Sequence, residues 1–190
     1  MKVMKIIKMA IEVGDTQLAG TDMGISHLPK LLGAALKGEK GELLVLDFSG
    51  VDATASYLSQ SVVKLLRMAN AGELDRFFVF TGVNKHTRDD LEIVLTLQKM
   101  AALVGDSPKK LGIPQSLEVI GHLEPLYRST LERISSMKKA TAEDLMAGAK
   151  EERIQKTGWL NRLAFLANQR LIRKEKHARE LVFKPVYEEK

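Results

Sequence analysis

Two near-continuous hydrophobic runs stand out in the first two thirds of the chain, at residues 43–48 and 77–80. Runs of this length and continuity predict β-strands that are buried on both faces of a sheet. Around them, apolar positions recur at helical spacing, and shorter apolar runs indicate further strands. The predicted helices span residues 21–36, 56–71 and 87–98. The shorter predicted strands fall in 1–13, as one strand or two, and at 101–104 and 117–120.

This alternation of strands and helices over about 120 residues predicts an α/β fold with a layered sheet. The runs 43–48 and 77–80 are expected to pair in parallel, because a helix lies between them and such crossovers join parallel strands. The helix at 87–98 is expected to begin with Thr87 as N-cap and Asp90 at the capping-box position. Pro29 lies inside the helix predicted at 21–36, so the start of that helix stays open.

The pattern changes after residue 122. An amphipathic helix is predicted at 125–137, and Thr141 to Asp144 has the sequence of a capping box before a second helix. A third helix, at about 156–169, has the inward-facing positions Trp159, Leu163 and Leu166. Strands are then predicted at 171–176 and 179–184, with the turn at 177–178. We therefore expect two domains, at 1–122 and 123–190.

Positive charge is concentrated in the second domain. Residues 153–184 contain nine basic and two acidic residues, a net charge of +7, whereas the whole chain of 190 residues carries +5. A clustered basic segment is typical of a surface that binds the phosphate backbone of nucleic acid. A solvated basic face without a nucleic-acid partner would have the same composition.

Several classes of chemistry lack the residues that they need. The chain has no cysteine, which excludes disulfides and thiolate sites. The four histidines are far apart in sequence, and no glycine-rich phosphate loop or nucleophile–base set is recognisable. We therefore expect a protein that is not an enzyme and holds no cofactor or metal. Without a signal peptide or an apolar run of transmembrane length, we expect it in the cytoplasm, with no membrane partner.

The segment LVLDFSGVDATASYL, residues 44–58, resembles the strand–loop–helix core of STAS domains, the anti-sigma-factor-antagonist-like modules of bacterial signalling, and especially their divergent STAS-like group. The resemblance covers roughly residues 1–122 and implies a module that senses a signal or docks a protein partner. By position, the serine that is phosphorylated in STAS antagonists falls on Ser56. That residue has two interpretations, a helix N-cap or a regulatory phosphosite.

The helix at 156–169 followed by a basic two-stranded ribbon resembles the recognition helix and wing of winged helix-turn-helix DNA-binding domains. That resemblance implies that Asn161 contacts a base edge, that Arg162 contacts a base or a phosphate, and that the wing contacts phosphates. Trp159 is expected in the core rather than stacked on a base. The implied DNA-contacting residues are Lys156, Thr157, Asn161, Arg162, Arg173, Lys174, Lys176, His177 and Arg179.

Together these features predict an intracellular regulator, a transcription factor whose STAS-like module senses a signal or docks a partner and whose winged helix binds duplex DNA. A homodimer is a further expectation, since winged-helix regulators often bind two half-sites. The alternative is a signalling adaptor. In that case the STAS-like domain binds a kinase or an anti-sigma-like protein, and the winged helix docks protein.

Overall fold

The chain folds into two compact units, Met1–His122 and Leu123–Lys190. The computed structural model describes residues 4–106, 116–149, 153–178 and 180–187. The fold is mixed α/β, as the sequence predicts. In chain order, the first unit contains β1 (Met4–Lys8), α1 (Met9–Val13), β2 (Gln17–Leu18), α2 (Thr21–Leu36), β3 (Glu42–Asp47), β4 (Asp52–Ala53), α3 (Ala55–Gln60), α4 (Val62–Asn70), β5 (Arg76–Thr81), α5 (Lys85–Leu97), β6 (Ala101–Gly105) and β7 (Leu117–Gly121).

The first unit is built on a five-stranded sheet with the order β1-β3-β5-β6-β7. The first four strands are parallel, and β7 pairs antiparallel with β6. Leu43 pairs with Phe77 and Leu46 with Phe80, so the predicted parallel pairing of the two apolar runs is confirmed. The short strands β2 and β4 form a separate parallel pair.

Both alternating sets of side chains in β3 and β5 are buried. Leu44, Leu46, Phe78 and Phe80 belong to the hydrophobic core that the helices of this unit share. The residues between them, such as Val45, are buried as well. This explains why the two strands have continuous apolar sequences instead of an alternating pattern.

Two predicted elements of the first unit differ in the structure. Residues 9–13, predicted as strand, form the helix α1, which ends at Gly14 in the left-handed conformation. The helix predicted at 56–71 is divided into α3 and α4 at Ser61, whose φ of −115° and ψ of −95° are not helical. The Ser61 side chain is buried and its hydroxyl donates to the carbonyl oxygen of Tyr57 at 2.7 Å, which satisfies a polar group at the break.

The prediction for the start of α5 is wrong in its capping residues. Asn84 is the N-cap, and its side-chain oxygen accepts from the Thr87 N–H at 2.9 Å. The Thr87 hydroxyl accepts from the Ala53 N–H, and the Asp90 carboxylate accepts from the Ala55 N–H. Both side chains therefore connect α5 to the segment that leads into α3, a role that no local pattern reveals.

Helix α2 has the predicted bounds, with Pro29 inside it, but its apolar residues do not all face the core. Ile25 and Leu36 are exposed, whereas Gly24 and Leu31 are buried. A Cβ at Gly24 would lie 2.7 Å from the Tyr57 carbonyl oxygen. The close approach of α2 to α3 therefore selects small residues for this side of the helix.

The second unit contains α6 (Pro125–Met137), α7 (Ala142–Gly148), α8 (Lys156–Asn168), β8 (Ile172–His177) and β9 (Glu180–Pro185). Strands β8 and β9 form an antiparallel hairpin, and Ala140 adds one bridge to Phe183 on the edge of β9. The predicted capping box at the start of α7 is confirmed, with Thr141 and Asp144 bonded reciprocally. The Tyr127 and Phe165 rings stack at 3.9 Å and hold α8 against α6.

Candidate nucleic-acid interface

Helix α8 has a buried side and an opposite, outward side. Trp159, Leu163 and Leu166 are buried, as predicted, with Trp159 only 1% exposed. The Arg162 guanidinium carbon lies 4.8 Å from the centre of the Trp159 ring and that of Arg133 lies 5.8 Å away, distances typical of cation–π contacts. Arg162, predicted to contact DNA, is therefore held beside the core residue Trp159.

The outward side of α8 consists of Thr157, Asn161, Ala164 and Asn168, which we call the outer stripe. At 100° per residue these four positions fall within an arc of roughly 60°, opposite the buried positions. Thr157, Asn161 and Asn168 are exposed and Ala164 is half-buried. The outer stripe carries no charge and no large side chain, so other molecules can approach the helix backbone closely here.

An ion pair connects the start of α8 to α7. Lys156, the first residue of α8, bonds Glu143 in the first turn of α7. The hydrogen bond from Lys156 lowers the pKa of the Glu143 carboxyl below its ordinary value. Lys156 was predicted to contact DNA, but its charge is partly balanced by this exposed carboxylate.

The register of the β8–β9 hairpin separates the predicted wing residues onto two faces. Directly paired residues point to the same side, and successive residues point to opposite sides. Lys174 and Lys176, paired with Phe183 and Leu181, therefore share one face, which we call the lysine face. This face is buried at the base of the hairpin, where Ile172 and Phe183 are 0% and 1% exposed, and becomes open toward the turn. Both lysines are exposed, and within the described residues neither has a carboxylate partner.

The opposite face of the hairpin contains the predicted DNA contacts Arg173 and His177, and both have polar partners within the unit. Glu175 Oε2 lies 2.8 Å from Lys184 Nζ and 3.3 Å from His177 Nε2. Arg173 is 6% exposed, and its Nε donates to the Val186 carbonyl oxygen at 2.9 Å. The prediction that Arg173 contacts DNA is corrected on this ground: its guanidinium satisfies a backbone carbonyl inside the unit, so it is not presented to a partner.

The turn of the hairpin lies one residue later than predicted. His177 is the last residue of β8 and pairs with Glu180, so the turn begins at Ala178, which has a φ of +54°. Arg179, predicted to contact phosphate, lies outside the described residues.

Sequence reasoning missed Ala164 and Asn168 as members of the outward surface. Their spacing from Thr157 and Asn161, at intervals of four, three and four residues, is the helical pattern that could have identified them. Charge does not reveal this pattern, because small uncharged residues do not mark a binding surface by composition.

In the first unit, Ser56 is exposed, but it is not the N-cap of a helix. Thr54 occupies that position, without a side-chain capping bond, and Ser56 is the second residue of α3. The two hydroxyl oxygens lie 3.1 Å apart. The capping interpretation of Ser56 is therefore wrong, and the phosphosite interpretation stays a prediction.

The described residues contain no group of three or more His, Asp or Glu that could hold a metal ion. No helix in the same part of the chain is long and apolar enough to cross a membrane. Comparison of the sequence with models of protein families finds no match, and comparison with curated proteins finds none either.

Proposed function

We propose that the protein binds duplex DNA through its second unit and acts as an intracellular transcriptional regulator. The observation that carries this proposal is the lysine face, where Lys174 and Lys176 lie two residues apart at exposed positions of the hairpin. Because neither lysine has a carboxylate partner in the described part of the chain, both are available to replace the counterions of DNA phosphates, a large source of affinity in such complexes.

The order of elements in this unit supports the proposal. A helix, a single bridging residue, two further helices and an antiparallel ribbon follow one another, an order similar to that of winged helix-turn-helix domains. In that arrangement α8 corresponds to the recognition helix and the β8–β9 hairpin to the wing. The uncharged outer stripe of α8 suits contact with base edges on the floor of a DNA groove, whereas the lysine face of the hairpin suits contact with the DNA phosphates beside that groove.

The distribution of charge between the two units adds a second argument. The second unit contains fifteen Lys and Arg against ten Asp and Glu, whereas the first contains fourteen of each. The excess positive charge of the protein therefore belongs to the second unit alone. The neutral first unit then senses a signal or docks a partner, as its similarity to STAS-like domains implies. A homodimer would place two such DNA-binding units on two half-sites.

The test is the affinity for a duplex of mixed sequence over a salt series, for the wild type and for Lys174→Glu/Lys176→Glu. Each lost phosphate contact is expected to reduce the slope of log affinity against log salt by about 0.9, so the double variant should lose a slope of about 2. Its affinity should fall for all sequences, because phosphate contacts carry no sequence information.

A matched control is Lys85→Glu/Lys99→Glu, which makes the same change of net charge at exposed positions of the first unit. This control should keep most of the affinity and the slope if the lysine face makes the contacts. Equal losses of affinity in both variants would show that net charge, not the lysine face, causes the effect. If the folded wild type showed no salt-dependent binding, DNA binding itself would be contradicted.

The second candidate function is a signalling adaptor whose first unit binds a kinase or an anti-sigma-like protein and whose second unit docks protein. The exposed Ser56 favours it, as do Ile93 and Leu97, which are four residues apart on α5 and exposed to 53% and 78%. The salt series separates the two functions, because an adaptor would show no duplex binding. Mass spectrometry of the protein from its native host would then test phosphorylation of Ser56.

A further inference from the structure

We infer that the outer stripe of α8 selects adenine–thymine pairs in the major groove, with Asn161 as the residue that determines specificity. The inference rests on the proposed DNA-binding function and goes further by naming the bases. It follows from the chemistry of Thr157, Asn161, Ala164 and Asn168, the four residues that α8 turns outward.

The hydrogen-bonding capacity of the stripe suits adenine. An asparagine amide can donate to adenine N7 and accept from its N6 amino group in one bidentate contact. Guanine presents two acceptors in the major groove, O6 and N7, and is best matched by the two donors of Arg or Lys. The outer stripe contains neither Arg nor Lys, so no member of it supplies the usual guanine contact.

The two residues next to Asn161 along the stripe suit thymine. Thr157 and Ala164 each offer a methyl group, and methyl groups pack against the C5 methyl of thymine in the major groove. Because Ala164 is small, the helix can approach the bases closely, as the Asn161 contact requires. A glutamate or aspartate, which would accept from the cytosine amino group, is absent from the stripe.

The nearest cation on α8 is directed away from base contact. Arg162 follows Asn161, but its guanidinium lies against the Trp159 ring at 4.8 Å, on the flank of the helix. We therefore assign Arg162 to the DNA phosphate backbone rather than to a base. Asn161 is the exposed residue near the centre of the stripe that offers a bidentate amide group.

The length of the stripe sets the size of the subsite. Seven residues separate Thr157 from Ala164, which is about 10 Å along a helix, and base pairs are spaced by about 3.4 Å. The segment from Thr157 to Ala164 therefore covers about three base pairs, with the adenine opposite Asn161 near the middle. Double-stranded RNA does not suit this surface, because the major groove of an A-form helix is too narrow for side chains to read.

The experiment is selection from 20-base-pair duplexes with a randomised centre, followed by sequencing, for wild type, Asn161→Ala and Asn161→Arg. The wild type should enrich a short adenine–thymine element, Asn161→Ala should lose it, and Asn161→Arg should enrich guanine at the central position instead. Wild type and Asn161→Ala should bind an unselected duplex with equal salt dependence, because neither carries a charge at this position and the exposed Asn161 does not enter the core. Asn161→Arg adds a positive charge, so it is compared with them by its base preference alone.

Two base analogues in the selected duplex separate major-groove contacts from recognition of groove shape. Replacing the central adenine by 7-deazaadenine removes the N7 acceptor, and replacing thymine by deoxyuridine removes the methyl group. Each should weaken wild-type binding, the first by on the order of tenfold, and 7-deazaadenine should have no effect on Asn161→Ala.

Salt-dependent binding with no base enrichment, or enrichment that Asn161→Ala and Asn161→Arg leave unchanged, would overturn this inference and leave the proposed function intact. Absence of binding to any duplex by folded wild type would overturn both. Asn168→Ala serves as a matched control at the far end of the stripe, about 10 Å from Asn161. A loss of the central adenine preference in that variant rather than in Asn161→Ala would also contradict the assignment.

Discussion

Strands β3 and β5 of the first unit and strands β8 and β9 of the second use charged residues in different ways. In the first unit the strands are apolar in both alternating sets, and the charges at their ends are satisfied inside the unit. Arg76, which is 5% exposed, donates from Nε to the Ala35 carbonyl oxygen and from a terminal nitrogen to that of Asp75. In the hairpin, Lys174 and Lys176 face solvent without a partner among the described residues.

Arg173 connects the two cases, because it lies in the basic hairpin but behaves like Arg76. Both guanidiniums are buried, and both donate to backbone carbonyl oxygens. A basic residue in a strand therefore indicates a binding surface only when its side chain does not donate to backbone carbonyl oxygens of its own unit. Composition assigns Arg173 and Lys174 to the same class, and burial separates them.

The largest expected effect is that of Trp159→Ala on the second unit. Removing a fully buried large aromatic ring should lower the free energy of unfolding of that unit by about 3–5 kcal/mol. Circular dichroism during denaturation measures it, since Trp159 is the only tryptophan and its fluorescence is lost in the variant. Trp159→Phe should cost less, because the buried indole N–H has no acceptor among the described residues. An alanine variant as stable as wild type would remove Trp159 from the core.

The corresponding change in the first unit is Leu46→Ala, at a fully buried position of β3. It should cost about 2–5 kcal/mol, because the cavity forms in the core that the helices share. Because the proposed phosphate contacts all lie in the second unit, the folded fraction of this variant should bind duplex DNA with the salt dependence of wild type. A changed slope at full folding would mean that the first unit takes part in DNA binding. The measurement is a denaturation curve together with the salt series.

The pair Arg173→Ala and Lys174→Ala tests the two faces of the hairpin at adjacent positions. Arg173→Ala should destabilise the second unit by about 1–3 kcal/mol, because the buried Val186 carbonyl loses its donor. Lys174→Ala should change stability by less than about 0.5 kcal/mol, as is usual at an exposed site, and should weaken duplex binding. Chemical denaturation and duplex affinity, measured on both variants, give four values. Exchanged roles, with Lys174 stabilising and Arg173 binding, would contradict the assigned faces.

The smallest effect concerns the capping box of α7 and depends on pH. The N–H and then the hydroxyl of Thr141 donate to Asp144 and lower the pKa of its carboxyl. A carboxyl with a lowered folded-state pKa stabilises the fold above its unfolded pKa, about 3.9, and the contribution is lost as pH falls through the folded value. Asp144→Asn should therefore reduce the acid sensitivity of the second unit.

Thr141→Ala supplies the comparison for the capping box, since it should cost about 0.5–2 kcal/mol near neutral pH, the usual range for a lost N-cap. Thermal denaturation between about pH 2 and 7 measures both variants. An Asp144→Asn protein with the full acid sensitivity of wild type would show that the capping carboxylate is not responsible.

Much of the fold follows from local patterns in the sequence. The continuous apolar runs at 43–48 and 77–80 identified the central parallel strands, because burial on both faces leaves no polar positions. Helical periodicity identified α8 and its buried side, and the Thr141–Asp144 pair marked the start of α7 through bonds within four residues. Each of these signals depends on residues that are close together in sequence, so it can be recognised without the tertiary structure.

Long-range contacts decided the features that the sequence left open. The buried side of α2 depends on its approach to α3 at Gly24, and the roles of Thr87 and Asp90 depend on backbone groups more than thirty residues away. In the hairpin, register and burial determine that Arg173 faces a carbonyl and Lys174 faces water. A side chain is available for binding only after the backbone groups around it have found their partners, and those partners are chosen by tertiary packing.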